Sequence, residues 1–99
     1  MKKILVNLTF GGFGLKDEYF EDFMVRTKGL DDIREDEKLI ALVEQGYDIG
    51  DNYSDIGIAE IPDNATDYYI NEYDGKEEVL YVVDGKIRFA KCYLHGGEY

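Results

Sequence analysis

The chain has 99 residues, 44% of them hydrophobic, which favours a single domain over residues 1–99 with one modest core. Its 11 basic and 22 acidic residues give a formal charge of −11 at pH 7, which disfavours direct binding to nucleic acids and to anionic membranes. The same charge favours basic partners, although it is also what keeps a small protein in solution. A single cysteine, Cys92, and the lack of a stretch of transmembrane length predict a cytoplasmic protein without a disulfide.

The first half of the chain predicts a strand followed by two helices. Residues 3–10 alternate in polarity, which is typical of a strand. A helix is predicted from Asp17 to the stop at Gly29, and a second over about residues 32–45, ended by Gly46. The charged start of the second helix is alternatively a capped turn. The side chains that repeat at helical spacing in the first helix are Tyr19, Phe20, Phe23, Met24 and Thr27.

The second half of the chain predicts a loop over residues 46–55 and then four strands. The first strand, 56–61, is closed by Pro62-Asp63. The other three are Tyr68–Tyr73, Glu77–Val83 and Lys86–Tyr93, and the Asp-Gly pairs at 74–75 and 84–85 favour two-residue hairpin turns between them. Together these elements predict an α+β domain with a mostly antiparallel, four- to five-stranded sheet, two helices on one face and the order β-α-α-β-β-β-β.

Two-residue turns also fix which side chains share a face of the predicted three-strand meander. Tyr69 then lies opposite Leu80, Leu80 opposite Phe89, and Val82 opposite Ile87; we expect this face to meet the helices. The other face carries the following side chains: Tyr68, Ile70, Val79, Tyr81, Val83 and Arg88. A one-residue bulge would exchange the two faces.

Negative charge is concentrated in the middle of the chain. Residues 17–67 contain 16 acidic and 4 basic residues, whereas residues 1–16 carry a net charge of +3 and residues 68–99 one of −2. The start of the first helix places acids at i, i+1, i+4 and i+5, with no Lys or Arg between residues 17 and 25, although like charges at i,i+4 destabilise a helix. The residues predicted to bind a partner are Asp17, Glu18, Glu21, Asp22, Asp31, Asp32, Glu35 and Asp36, with Tyr68 and Tyr81 as aromatic anchors.

A second candidate site is the glycine-rich loop between the first strand and the first helix. Backbone amides in such a loop can hold an anion, and Lys16 adds a positive charge. No complete phosphate-binding motif is present, however, and a tight turn with Phe13 in the core explains the same residues. The residues of this alternative ligand loop are Gly11, Gly12, Phe13, Gly14 and Lys16.

The remaining polar clusters do not predict catalysis, a metal or a cofactor. Cys92 and His95 are only two possible zinc ligands where a structural site needs four. The acids of the 51–67 segment match no calcium-binding spacing. Because no nucleophile, metal cluster or histidine-centred acid–base set is recognisable, we expect the protein not to be an enzyme.

Three segments of the sequence resemble a family of small proteins encoded by bacteriophages and prophages. They are the glycine run that ends at Leu15, the segment Glu60-Ile61-Pro62-Asp63, and the segment from Tyr68 to Glu77, which reads YYINEYDGKE. The resemblance implies a phage or prophage origin, and therefore the cytoplasm of a host cell; no activity comes with it.

Three functional hypotheses follow. The favoured one is a binding protein that docks its acidic surface on a basic host protein, such as a defence nuclease, by imitating nucleic-acid charge. The second is a protein that binds or sequesters a small nucleotide or phosphate ligand in the glycine loop. The third is a phage structural or assembly protein, which predicts a homo-oligomer. None of the three involves direct nucleic-acid or membrane binding.

Overall fold

The computed structural model describes residues 1–94 and the backbone of residues 97 and 98, and within these it shows an α+β fold with antiparallel strands. A short 3-10 turn, Ile33–Glu35, precedes the second helix. The helices are α1 (Asp17–Thr27) and α2 (Glu37–Glu44), and the strands are β1 (Lys2–Asn7), β2 (Ile56–Ile61), β3 (Asp67–Tyr73), β4 (Lys76–Val83), β5 (Lys86–Phe89), β6 (Lys91–Leu94) and β7 (Gly97–Glu98). The α+β class and the two helices are confirmed, and the predicted order holds except that the structure has more strands than predicted.

The strands form two sheets instead of the single predicted sheet of four to five strands. The first sheet has the strand order β1-β2-β6-β7, and the second has the order β3-β4-β5. The difference arises at Ala90, whose backbone N–H still bonds to the carbonyl of Val79. From Lys91 onward the chain leaves β4 and pairs with β2, with Cys92 opposite Ala59. The predicted strand 86–93 is therefore two strands that belong to different sheets.

Two apolar cores lie on opposite faces of the first sheet. One lies between this sheet and the helices and contains Leu5, Phe23, Leu39, Ile40, Val43, Ile49, Ile56 and Ile58. The other lies between the two sheets and contains Ile4, Val6, Leu8, Ala59, Ile61 and Val79. Because side chains alternate along a strand, β1 supplies Leu5 to the first core and Ile4 and Val6 to the second. The domain thus has three layers, with the first sheet in the middle.

The predicted register of the meander is confirmed, but the predicted orientation of its faces is wrong. Tyr69 pairs with Leu80, and Leu80 with Phe89. This face points to solvent, whereas Val79 is fully buried on the opposite face against the first sheet. The polarity of the sequence does not distinguish the two faces, because both carry charged side chains, such as Glu78 on the outward face and Glu77 on the inward face.

Capping interactions define where α1 ends and where α2 begins. Lys28 adopts a left-handed conformation and closes α1 by donating its N–H to the carbonyl of Met24, and Gly29 follows with a positive φ. The charged segment before α2 is a 3-10 turn capped by Asp32, and Asp36 then caps α2 itself. The interpretation of this segment as a capped turn is thereby confirmed.

Candidate functional site

The eight acidic residues predicted to bind a partner fall into two groups in the structure. Asp17, Glu18, Glu21 and Asp22 lie on α1. The other four line one cleft of about 570 Å³ between the end of α1 and the start of α2, together with Arg26, Glu37 and Lys38; they are Asp31, Asp32, Glu35 and Asp36. The structure therefore gathers the second group and leaves the first on a helix surface.

Asp22 and Asp36 are neutralised by cations and hold the two helices together. The carboxylate of Asp22 accepts hydrogen bonds from Arg26 at 2.8 Å and from Lys38 at 2.9 Å, and these bonds hold its pKa below the usual range. Arg26 also forms a bidentate pair with Asp36, at 3.0 and 3.2 Å. Asp36 in turn accepts the N–H of Leu39 at the start of α2. These two acids thus have structural partners.

Glu35 and Asp32 are likewise used within the fold. Glu35 pairs with Lys2 at 2.8 Å and accepts the hydroxyl of Tyr68 at 2.7 Å, and both partners lower its pKa. The pKa of Tyr68 is raised, first by burial of the hydroxyl and then by its bond to the Glu35 carboxylate. Asp32 accepts the N–H of Arg34 and caps the 3-10 turn.

Three acids of α1 remain without such partners. Asp17, Glu18 and Glu21 are exposed, and within residues 1–94 no Lys or Arg forms an ion pair with any of them. We call these three residues the α1 stripe. Asp17 and Glu18 occupy the first turn, where the helix dipole favours a negative charge, whereas Glu21 lies beyond it. The α1 stripe and the exposed Asp31 are therefore the part of the predicted surface that is free to meet a cationic partner.

The predicted aromatic anchors Tyr68 and Tyr81 are not on the exposed side of the meander. They lie opposite each other on β3 and β4, half-buried, and both pack against the core between the two sheets. The aromatic side chains that do face solvent on these strands are Tyr69 and Tyr73, with Phe89 on β5. The exposure of this face was not predicted, because the sequence pattern favoured packing of this face against the helices.

The glycine-rich loop is packed against two other turns of the protein. Gly11 donates its N–H to the carbonyl of Asp74 at 3.0 Å, and the carbonyl of Gly12 accepts the hydroxyl of Ser54 at 2.6 Å. A Cβ atom at Gly14 would overlap the carboxylate of Asp51. An anion bound by the loop would lie close to this carboxylate and would be repelled by it.

The other two residues of the alternative ligand loop also have structural contacts. Lys16 donates to the carbonyl of Asp48 at 2.8 Å. Phe13 is half-buried against the helix-side core, and the guanidinium of Arg34 lies 4.1 Å from the centre of its ring. Gly11 and Gly12 both have positive φ, of 122° and 97°. The glycines are therefore explained by a tight turn with positive φ angles, and Phe13 is explained by its packing against the core.

The structure groups no metal ligands in the part of the chain that it describes. No set of three or more His, Cys, Asp and Glu side chains that could hold a metal ion occurs among those residues. Cys92 is half-buried on β6, and burial raises the pKa of its thiol, so the thiolate nucleophile is disfavoured. His95, the other residue of the considered pair, lies outside the described residues.

Comparisons with protein-family models, with curated proteins and with solved structures found no match to this chain. Among the described helices, none has the length and apolar character that crossing a membrane requires.

Proposed function

We propose that this protein is a phage-type accessory protein that binds a basic surface of a host protein and blocks it, acting in the host cytoplasm without catalysis. The host protein is one that handles nucleic acid or defends against it, and the α1 stripe takes the place of nucleic-acid phosphates. The observation that supports this most directly is that Asp17, Glu18 and Glu21 are exposed on one rigid helix without cationic partners in residues 1–94.

The contacts behind the stripe favour a preorganised surface. Arg26 joins Asp22 on α1 to Asp36 at the start of α2, and Lys38 of α2 reaches Asp22 as well. These ion pairs fix the position of α1 relative to α2. A surface that is already ordered loses less conformational entropy on binding, which favours affinity.

The spacing of the stripe suits a partner that binds a charged polymer. Asp17 and Glu21 are one helical turn apart, about 6 Å along the helix axis. Phosphates along one DNA strand recur with about 3.4 Å of rise per charge, so the distance from Asp17 to Glu21 spans about two phosphate steps. Beyond contact distance, the formal charge of −11 would attract a basic surface and raise the association rate.

The phage origin in this proposal comes from the resemblance of three segments to phage-encoded proteins. Two of these segments are in contact here, because Gly11 donates its N–H to the carbonyl of Asp74. Packing between these segments is enough to explain why they occur together. The functional proposal depends on the charge of α1 and not on this pattern.

The test is affinity capture from a bacterial lysate at low and at high salt, followed by kinetics with the captured protein. We expect the triple variant Asp17→Asn/Glu18→Gln/Glu21→Gln to lose capture, and salt to reduce the association rate of the unmodified protein, because steering charges are screened. The control, Glu60→Gln/Asp63→Asn/Asp84→Asn, removes the same formal charge elsewhere and should bind as the unmodified protein does. Capture that is insensitive to salt, or that both triple variants lose equally, would overturn the proposal.

A further inference from the structure

The second sheet has one face that no other part of the described chain covers. Strand pairing puts Tyr69, Leu80 and Phe89 in one row on this face, with Val82 and Ile87 in the next row. Tyr73 and Lys76 lie at the end nearest the glycine-rich loop, where the Lys76 ammonium is 5.9 Å from the centre of the Phe10 ring. We call this surface, including Phe10, the outer face.

The outer face exposes an apolar area at the upper end of the range found on monomeric proteins. Phe10, Tyr69, Tyr73, Ile87 and Phe89 are each between 51% and 74% exposed. Since large side chains present about 150–250 Å² each, these five leave on the order of 600 Å² in water. The largest apolar patch on a typical monomer is about 300–600 Å², and a standard interface buries about 800 Å² per partner. The area of the outer face therefore approaches what a stable dimer needs.

The distribution of charge favours a second copy of this chain as the occupant. The outer face carries only three formal charges, those of Asp67, Lys76 and Glu78. The α1 stripe lies on the far side of the first sheet, two layers away. Each layer is about 10 Å thick, so the separation exceeds the Debye length of about 8 Å at physiological ionic strength. Two copies that meet through their outer faces keep their acidic stripes at opposite ends.

The contact would be face to face rather than edge to edge. β5 is an edge strand whose four residues are all exposed. An antiparallel pair of two β5 strands that kept the outer faces on the same side would place Arg88 or Lys86 near its own copy. Like charges on neighbouring edge strands are a common means of preventing such pairing.

From these observations we propose that the outer face is the interface of a homodimer, in which the two second sheets pack against each other about a twofold axis. This dimer would present two α1 stripes pointing away from each other. The inference is independent of the identity of any host partner, because it depends only on the outer face.

The test is sedimentation velocity over a range of protein concentrations, with Phe89→Lys as the main variant. Phe89→Lys makes the chain less negative, so a change in charge repulsion alone would lower the dimer dissociation constant. If the outer face is an apolar interface, the variant instead loses an apolar contact, and the dissociation constant rises at least about tenfold. The matched control is Val25→Lys on α1, which makes the same charge change at a side chain that is 79% exposed and should leave the dimer intact. Circular dichroism checks that both variants are folded.

The response to salt distinguishes this interface from the proposed host contact. Screening reduces repulsion between two copies of charge −11, so sodium chloride should strengthen the dimer while it weakens binding to a basic partner. The α1-stripe triple variant should remain dimeric even if it no longer binds a host protein. A protein that is monomeric at every concentration, a Phe89→Lys variant that dimerises like the unmodified protein, or a dimer lost in Val25→Lys would each refute the outer face as the interface.

Discussion

Arg34 and Glu77 form the ion pair that joins the 3-10 turn to the second sheet. The guanidinium donates to both carboxylate oxygens, at 2.9 and 2.6 Å, and also to the carbonyl of Leu5 on β1. Glu77, only 6% exposed, additionally accepts the N–H of Asn7. The pair therefore ties the edge of β1 to β4, and it satisfies polar groups that the two sheets would otherwise bury unpaired.

We predict that Glu77→Gln lowers the free energy of unfolding by about 3 kcal/mol, because it leaves the Arg34 guanidinium partly buried without a counter-charge. The neighbouring substitution Glu78→Gln makes the same chemical change at an exposed position and should alter stability by no more than about 0.5 kcal/mol. Urea unfolding of the two variants measures the difference. Equal effects in the two variants would show that the ion pair contributes no net stability.

At the scale of the elements, the two Asp-Gly turns have the same local geometry but different surroundings. Asp74 and Gly75 have positive φ angles of 49° and 89°, and Asp84 and Gly85 have 51° and 72°. These are the angles that two-residue hairpins of this type require. A Cβ atom at Gly75, however, would overlap the backbone nitrogen of Gly12, whereas nothing lies within 4 Å of one at Gly85.

The pair of turns allows a comparison in which backbone strain is nearly constant. Gly85→Ala should cost about 1 kcal/mol, because alanine disfavours positive φ. Gly75→Ala carries the same strain and must also displace the glycine-rich loop, which we expect to add about 2 kcal/mol or more. Thermal or urea unfolding of both variants checks the order. If Gly85→Ala proved the more destabilising of the two, the close packing of the loop against the first turn would be refuted.

Elements defined by local chemistry could be predicted from the sequence, and those defined by distant partners could not. The Asp-Gly turns fixed the meander register, and helical spacing with a closing glycine placed α1. The division of 86–93 at Ala90 has no local cause, because the pairing of Cys92 with Ala59 is a contact between distant segments. The same limit applies to the candidate site. Asp22 was predicted to be part of the acidic surface, but Lys38 of α2, 16 residues away in the sequence, donates a hydrogen bond to its carboxylate.

At the scale of the whole molecule, an excess of negative charge opposes folding unless the acids find partners. A net charge of −11 destabilises a compact state through self-repulsion. The fold offsets part of this by pairing Asp22, Glu35, Asp36 and Glu77 with cations. The α1 stripe has no such ion pairs, and Glu21, which lies beyond the first turn and four residues after Asp17, lowers stability at the place where we propose that the stripe binds a partner.

Substitution by lysine should therefore change the free energy of unfolding in opposite directions at two neighbouring acids of α1. Glu21→Lys replaces a repulsion with Asp17 at i,i+4 by an ion pair, which we expect to raise the free energy of unfolding by about 0.5 kcal/mol at low salt. Asp22→Lys places a third cation beside Arg26 and Lys38 and should lower stability. Chemical unfolding at low and high salt measures both changes, and salt should reduce each of them. If Glu21→Lys lowered stability as Asp22→Lys does, Glu21 would have a stabilising role within the fold, and the argument that its charge is retained for a partner would fail.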